Sequence, residues 1–339
     1  VIRVRKISAL IGIVALVVCL PMLVAAGDFH RNASLVCSDC HTMHYSQQHG
    51  YNSDGTGFFA PLGGSGPHHY LLRNEINELC LTCHDGSSFA PDVYGANANS
   101  YVRQAGRLSK EGDGFEADGH TLNATASAPG SNPAWGNAEG LNCTNCHFPH
   151  GGVNYRNLAG NPGNYESLGR TYATVSYATG TQDLTKDIFQ VAAGPMAVHY
   201  SYDNMQFNEP DQTKSAYGFF CQGCHTDYHG VKGGAEVGGL TGEEWIRHPN
   251  ADANIGGMGG GHSSLATFTS RANKVQVMSA SGVIPSADNS PSCMSCHKAH
   301  GNQNAFGLIF MSGTGTVDEE GDDGTSVRST CKQCHVQGG

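Results

Sequence analysis

Six times the chain reads cysteine, two residues, cysteine, histidine: at Cys37/Cys40/His41, Cys80/Cys83/His84, Cys143/Cys146/His147, Cys221/Cys224/His225, Cys293/Cys296/His297 and Cys331/Cys334/His335. In such a unit the two sulfurs form thioethers to a porphyrin and the histidine binds its iron, which is the attachment pattern of c-type haem. Four of the units carry a second histidine: His44 in "CHTMH", His150 in "CHFPHG", His229 in "CHTDYHG" and His300 in "CHKAHG". Positions three or four apart in a tight turn project from one side, with Cβ atoms about 5–6 Å apart. The motif histidine already holds one face of its own ring. A neighbour starting from that same side cannot travel round the macrocycle, so it is expected to ligate a different haem.

The chain has 18 histidines, and the six in the motifs leave twelve, enough for a second axial ligand on every iron. Beyond His44, His150, His229 and His300, the remaining two are sought first at His120 in "DGHTL", His248 in "IRHPN" and His262 in "GGHSS", ahead of His30, His49, His68, His69 and His199. Glycine beside His120 and His262 lets backbone come close to a ring. The eight methionines show no placement that repeats with the motifs. An iron held by two imidazoles has no open position for substrate and exchanges electrons instead. The rival reading is a multihaem reductase keeping one haem open beside catalytic side chains. A third is a structural role for the haems. All six motifs ending in histidine, and the surplus of further histidines, favour electron transfer over catalysis.

Two other uses of the cysteines fit less well. A disulfide framework scatters its cysteines, whereas here all but Cys19 fall in the motifs, so no thiol remains for a bridge. Structural zinc requires two C-x-x-C pairs per metal and no histidine directly after each. Arg3, Arg5 and Lys6, an apolar run from Ile7 to Val24 and the small residues Ala25 and Ala26 describe a secretory signal peptide over residues 1–26, with Cys19 inside its apolar region. A retained anchor is the alternative, but Pro21 interrupts a run at the lower limit of the ~20 residues a spanning helix needs. The mature chain, residues 27–339, is expected to be exported and not inserted in a membrane.

The formal net charge of −10 becomes −13 once Arg3, Arg5 and Lys6 are removed, since residues 1–26 hold no acid. That surface disfavours nucleic acid and anionic membranes as partners. Leucine, isoleucine, valine and phenylalanine total 63 of 339 residues and glycine 46, a composition close to that of disordered chains. Six large apolar porphyrins supply the core that the side chains do not, so the chain without haem is expected to be unfolded.

With no long periodic stretch, residues 27–339 read as one hexahaem domain, mostly coil, with short α-helices and a few short β-hairpins wrapped around a chain of six haems: a multihaem cytochrome c. "HYLLRNEINELCLTCH" predicts a helix over 69–84 with Leu71, Leu72, Ile76, Leu79 and Cys80 on one face. "TGEEWIRHP" predicts a short helix with Thr241 and Glu244 as a capping box and Pro249 as its stop. "RTYATVSYATG" and "NKVQVMSASG" alternate like strands. The run "VDEEGDDG" offers Asp318, Glu320 and Asp322 to a cation, but Ser329 stands where a Ca²⁺ loop ends in glutamate, so it reads as a solvated acidic turn.

"FHRNASLVCSDCHTMH", "GHTL", "LNCTNCHFPHG", "CQGCHTDYH", "IRHP", "CMSCHKAH" and "CKQCH", in this order, resemble the extracellular hexahaem cytochromes of the OmcS type, which polymerise into conductive filaments. The resemblance covers all six motifs and follows the histidines; the connecting loops differ, and the segment between the fifth and sixth motifs is shorter. It implies six covalently bound bis-histidine haems in one continuous row. It implies also that His44 ligates the haem of His297 in an adjacent copy, in a filament on the outer surface that passes electrons between donors and acceptors outside the cell. A soluble periplasmic electron carrier is the alternative.

Overall fold

The computed structural model describes residue 30 and residues 35–42, 68–87, 90, 92–94, 105–131, 134–151, 154, 157–163, 176–177, 207–208, 216–228, 255, 264–275, 277, 290–315, 317–318, 321–322 and 326–335. Regular elements among these are short. The helices are α1 (Cys37–Cys40), α2 (Ile76–His84), α3 (Ala216–Cys221), α4 (Leu265–Thr269), α5 (Cys293–Cys296) and α6 (Val327–Cys334). Strands β1 (Ser109–Lys110) and β2 (Thr121–Leu122) pair in parallel; β3 (Ser176–Tyr177) with β4 (Phe207–Asn208), and β5 (Val317–Asp318) with β6 (Gly321–Asp322), pair antiparallel. The described residues are mostly coil with short helices and strands, as the composition leads one to expect.

The first, third and fifth motifs are built alike. In each, the backbone N–H before the first cysteine donates to a short polar side chain three residues on: Val36 to Asp39 at 2.9 Å, Asn142 to Asn145 at 2.8 Å and Ser292 to Ser295 at 2.9 Å. This is half of a capping box, and it satisfies a donor that the tight turn leaves open. A later segment then returns onto the motif. Leu72, Leu158 and Leu308 form antiparallel bridges with His41, His147 and His297. Each leucine follows a residue with left-handed backbone: Leu71 (φ 57), Asn157 (φ 58) and Gly307 (φ 64). Asparagine and glycine adopt that conformation readily, leucine does not. The carbonyls of these three residues accept the N–H of Thr42, Phe148 and Lys298 at 2.7, 2.6 and 2.9 Å. Arg73, Ala159 and Ile309 then donate to the second cysteine's carbonyl at 2.9, 2.8 and 2.7 Å.

Neighbouring motifs are pinned by buried polar contacts. Asn77 on α2 accepts the Cys143 N–H at 3.1 Å and donates to Asn123 Oδ1 at 2.8 Å and the Leu141 carbonyl at 3.0 Å, setting α2 on the third motif. α3 packs on α5, fourth motif against fifth. α6 is held by Thr330, which donates to the Ile309 carbonyl at 2.6 Å and accepts from Met311 N–H at 2.8 Å, and by fully buried Gln333, which donates to the Met311 carbonyl at 2.9 Å. A small apolar cluster of Leu81, Leu108 and Leu122, with Val93 and Tyr94 against it, lies under α2.

Several sequence expectations need correction. The helix predicted over 69–84 begins at Ile76, because Tyr70 and Leu71 (both φ 57) turn the chain back onto His41, leaving Leu71 half exposed. Of "RTYATVSYATG", Ser176–Tyr177 forms a strand. The described part of "NKVQVMSASG" forms none: Val275 and Val277 are buried, and the Val275 N–H goes to the Gln333 side chain at 3.1 Å. Asp322 is not solvated but 6% exposed. Its Oδ2 accepts from the Ser312 hydroxyl and from the N–H groups of Ser312, Gly313, Thr314 and Gly315 at 2.7–3.2 Å. The predicted helix at "TGEEWIRHP" and residues 1–26 lie outside the described residues, among which no helix is long and apolar enough to cross a membrane.

His300 and Gly301 run between two other segments. His300 N–H donates to Ala105 O at 2.7 Å, Arg107 N–H to Gly301 O at 2.9 Å and His120 N–H to His300 O at 3.0 Å. Gly301 has φ +126, and a Cβ there would lie 2.7 Å from Asp118 O and 2.9 Å from Arg107 O. Gly301→Ala is therefore expected to destabilise the haem-loaded protein by roughly 1–3 kcal/mol. Gly112→Ala, equally left-handed at φ +89 but with nothing within 4 Å of the new Cβ, is expected to cost less than half as much in parallel thermal melts.

Candidate haem-binding site

The C-x-x-C-H turn brings two sulfurs and an imidazole to one face because residues i, i+3 and i+4 neighbour one another on a helical surface. The turn closes the same way at five motifs. His41, His147, His225, His297 and His335 each donate N–H to the carbonyl of the first cysteine, at 2.9–3.0 Å. All twelve motif cysteines are free of disulfides. Burial pushes Cys40, Cys83, Cys146 and Cys334 up to about 11 and Cys224 and Cys296 up to about 12, so these sulfurs are uncharged near neutral pH. A neutral, half-buried sulfur suits a thioether better than a metal thiolate. Among the described residues no group of three or more His, Cys, Asp or Glu side chains is placed to hold a metal ion, as a zinc ribbon requires.

Imidazoles meet in pairs instead. His41 faces His150 with ring centres 6.0 Å apart, His84 faces His30 at 6.0 Å, His147 faces His300 at 6.1 Å and His225 faces His120 at 5.9 Å. An imidazole nitrogen bonds a transition metal at about 2.0–2.1 Å, and the ring centre lies about 1.1 Å behind it, so two imidazoles on opposite sides of one iron have centres roughly 6.3 Å apart. The four observed spacings fit one iron between each pair. Each pair joins a motif histidine to one from a distant part of the chain.

The rings are also oriented. Nδ1 of His41, His225 and His297 hydrogen-bonds the carbonyls of Tyr70, Pro129 and Phe306 at 3.0, 2.8 and 2.8 Å. Nδ1 of His30 and His120 does so with Pro149 and Ala299 at 3.2 and 2.6 Å. A carbonyl cannot donate, so in each case Nδ1 carries the proton and Nε2 keeps its lone pair for a metal. Desolvation by the surrounding chain pushes His225 down to about 4, helped by adjacent His120. It pushes His300 down to about 3, helped by His147, and lowers His120 as well. These three rings are neutral at physiological pH, the form that ligates iron.

Of the sequence-selected second histidines, the structure thus brings His120, His150 and His300 opposite motif histidines. His44, His229, His248 and His262 lie outside the described residues. His30, ranked behind His248 and His262, stands opposite His84. Its place within "FHRNASLVCSDCH", just ahead of a motif, was the available signal; it has no adjacent glycine, the feature that favoured His120 and His262. Among the described residues no imidazole faces His297.

No family model matches the chain. Its similarity is to c-type cytochromes, the class that the motifs and facing imidazoles indicate. The relative found is C-type cytochrome OmcS of Geobacter sulfurreducens, 24% identical over 379 residues, covering 87% of this chain and 82% of the relative, so the resemblance drawn from the motifs holds. Two solved structures, of OmcS nanowires and of an Outer Membrane Cytochrome S filament from Geobacter sulfurreducens, are 18% and 17% identical with TM-scores of 0.41 and 0.39. They cover 89% and 81% of this chain and 98% and 83% of their own.

The His30–His84 pair is open to direct test. His30→Ala is expected to convert one ferric haem from low to high spin in electron paramagnetic resonance, with haem content unchanged. His69→Ala is expected to leave the spectrum as it was.

Proposed function

We propose that the chain is an exported electron-transfer cytochrome carrying six covalently bound haem c groups. In this reading every iron is held by two histidines, and the subunits polymerise into an extracellular filament that conducts electrons between outer-surface donors and acceptors such as minerals, electrodes or partner cells. Each haem supplies one-electron exchange at its iron, and the protein's part is to close both axial positions with neutral, oriented imidazoles. The four facing pairs at 5.9–6.1 Å carry the proposal. The relative's character as a c-type cytochrome supports it. The mature chain would begin after the signal peptide at residues 1–26.

The pairs also follow a rule that bears on polymerisation. His150, after the third motif, faces the histidine of the first; His300, after the fifth, faces that of the third. Both of these second histidines reach back two motifs. His44 follows the first motif, and two motifs back from it lies the fifth motif of a preceding copy, whose His297 has no facing imidazole among the described residues. Exposed Phe306, whose carbonyl orients His297, lies beside that position. His44 of one subunit is accordingly assigned to the haem held by His297 in the preceding copy.

The same His297 observation is what favours the enzymatic alternative, an open haem available to substrate. His44→Ala separates the two. For the filament reading, negative-stain microscopy is expected to show loss of filaments with six haems retained per chain, and one haem in six becomes high-spin. An open haem would already give that high-spin signal in the intact wild-type assembly. Filaments that persist in His44→Ala remove the intersubunit bond.

A further inference from the structure

Arg73 is 4% exposed, yet its guanidinium is barely used. Nη1 donates to the Ser38 carbonyl at a long 3.4 Å, while Nε and Nη2 are buried without a partner. Ion pairs among the described residues involve Arg107, Lys110 and His68, not Arg73. Asp39, on the same motif, spends Oδ2 on the Val36 N–H, and its buried Oδ1 has no hydrogen-bond partner and makes no ion pair with Arg73. A buried cation with no counter-charge in contact is destabilising, and a planar fork with two free donors matches a carboxylate.

Position says which carboxylate. Arg73 donates its backbone N–H to Cys40 O, as Ala159 does to Cys146 O and Ile309 to Cys296 O. Three equivalent places on three equivalent motifs thus hold one cation and two aliphatic side chains. By contrast Arg271, just after α4, is tied at Nη1 and Nη2 to the Ser312 and Lys332 carbonyls at 3.4 and 3.2 Å, a backbone clamp. We propose that Arg73 binds a propionate carboxylate of the haem attached at Cys37 and Cys40, and that its charge sets this haem at a higher reduction potential than it would otherwise have. Reduction lowers the positive charge at the iron, so neutralising a nearby propionate favours the reduced state. The inference rests on the six-haem reading above.

The test uses full-length, haem-loaded protein. In Arg73→Gln the haem count by pyridine haemochromogen is expected to stay at six. One of the six redox transitions shifts to lower potential in a spectroelectrochemical titration, and about a twelfth of the propionate-bending intensity in resonance Raman, one propionate of the twelve, moves in frequency. Unchanged transitions and an unchanged propionate band overturn the proposal. Arg73→Lys, which keeps the charge and loses the fork, serves if Arg73→Gln does not load haem: the expected result is a near-native potential with a shifted propionate band, and an unshifted band again overturns it. Wild-type protein with fewer than six haems would instead count against the six-haem reading itself.

Discussion

A flat ring can be ligated from two sides, and attachment through C-x-x-C-H uses one of them. In the proposed reading the described residues are arranged around delivering the other. A histidine three residues past a motif starts on the occupied side and can serve only some other ring, and the "CHxxH" segments of the third and fifth motifs each bring two distant motifs together. Residues 147–150 show how much one such segment does. His147 faces His300, His150 faces His41, and the Pro149 carbonyl between them orients His30, which faces His84. Residues 297–300 repeat the arrangement: His300 faces His147, and the Ala299 carbonyl orients His120, which faces His225. Four residues thus touch three facing pairs, so displacing one turn disturbs several imidazoles at once.

The backbone serves the same end. A left-handed residue followed by leucine recurs at the first, third and fifth motifs, and it places a carbonyl opposite Nδ1 of His41 and of His297. That carbonyl sets which ring nitrogen has the lone pair. The fourth motif reaches the same result by another route, using Pro129 for the Nδ1 bond and left-handed Gly130 to accept the Asp227 N–H at 2.7 Å. Leu71 in that conformation is a local cost, offset where the turn it creates supports His41.

What could be read in the sequence and what could not divide along physical lines. The motifs and their second histidines stand out because covalent attachment and axial geometry demand fixed residue types at fixed spacing. The shortness of the regular elements followed from composition. His30 ranked behind the others because it lacks the adjacent glycine that favoured His120 and His262, and its partner, His84, lies 54 positions away. The helix start at Ile76 was missed because Tyr70 and Leu71 are apolar and periodic, and only the contact with His41 forces them out of the helical region. Asp322 looked solvated for a similar reason: the five donors that clasp it come from residues 312–315. In each case a long-range contact overrode a local preference.

The pairings further resolve the first four motifs into two units of two, each opened by a leading histidine. His30 precedes the first motif and faces the histidine of the second; His120 precedes the third and faces that of the fourth. In the same series, a histidine between the fourth and fifth motifs would serve His335, and His229, His248 and His262 all lie in that interval. In the proposed reading each unit would satisfy its own even-numbered ring and, through its "CHxxH" segment, the odd-numbered ring of the unit before it. Such a rule has no natural last member. The third unit would leave the ring of His297 to be served from outside and the first would offer His44, so the step that joins units within one chain is the same step that would join one chain to the next. Polymerisation in this reading needs no separate interface: it is the internal repeat continued across a break in the backbone.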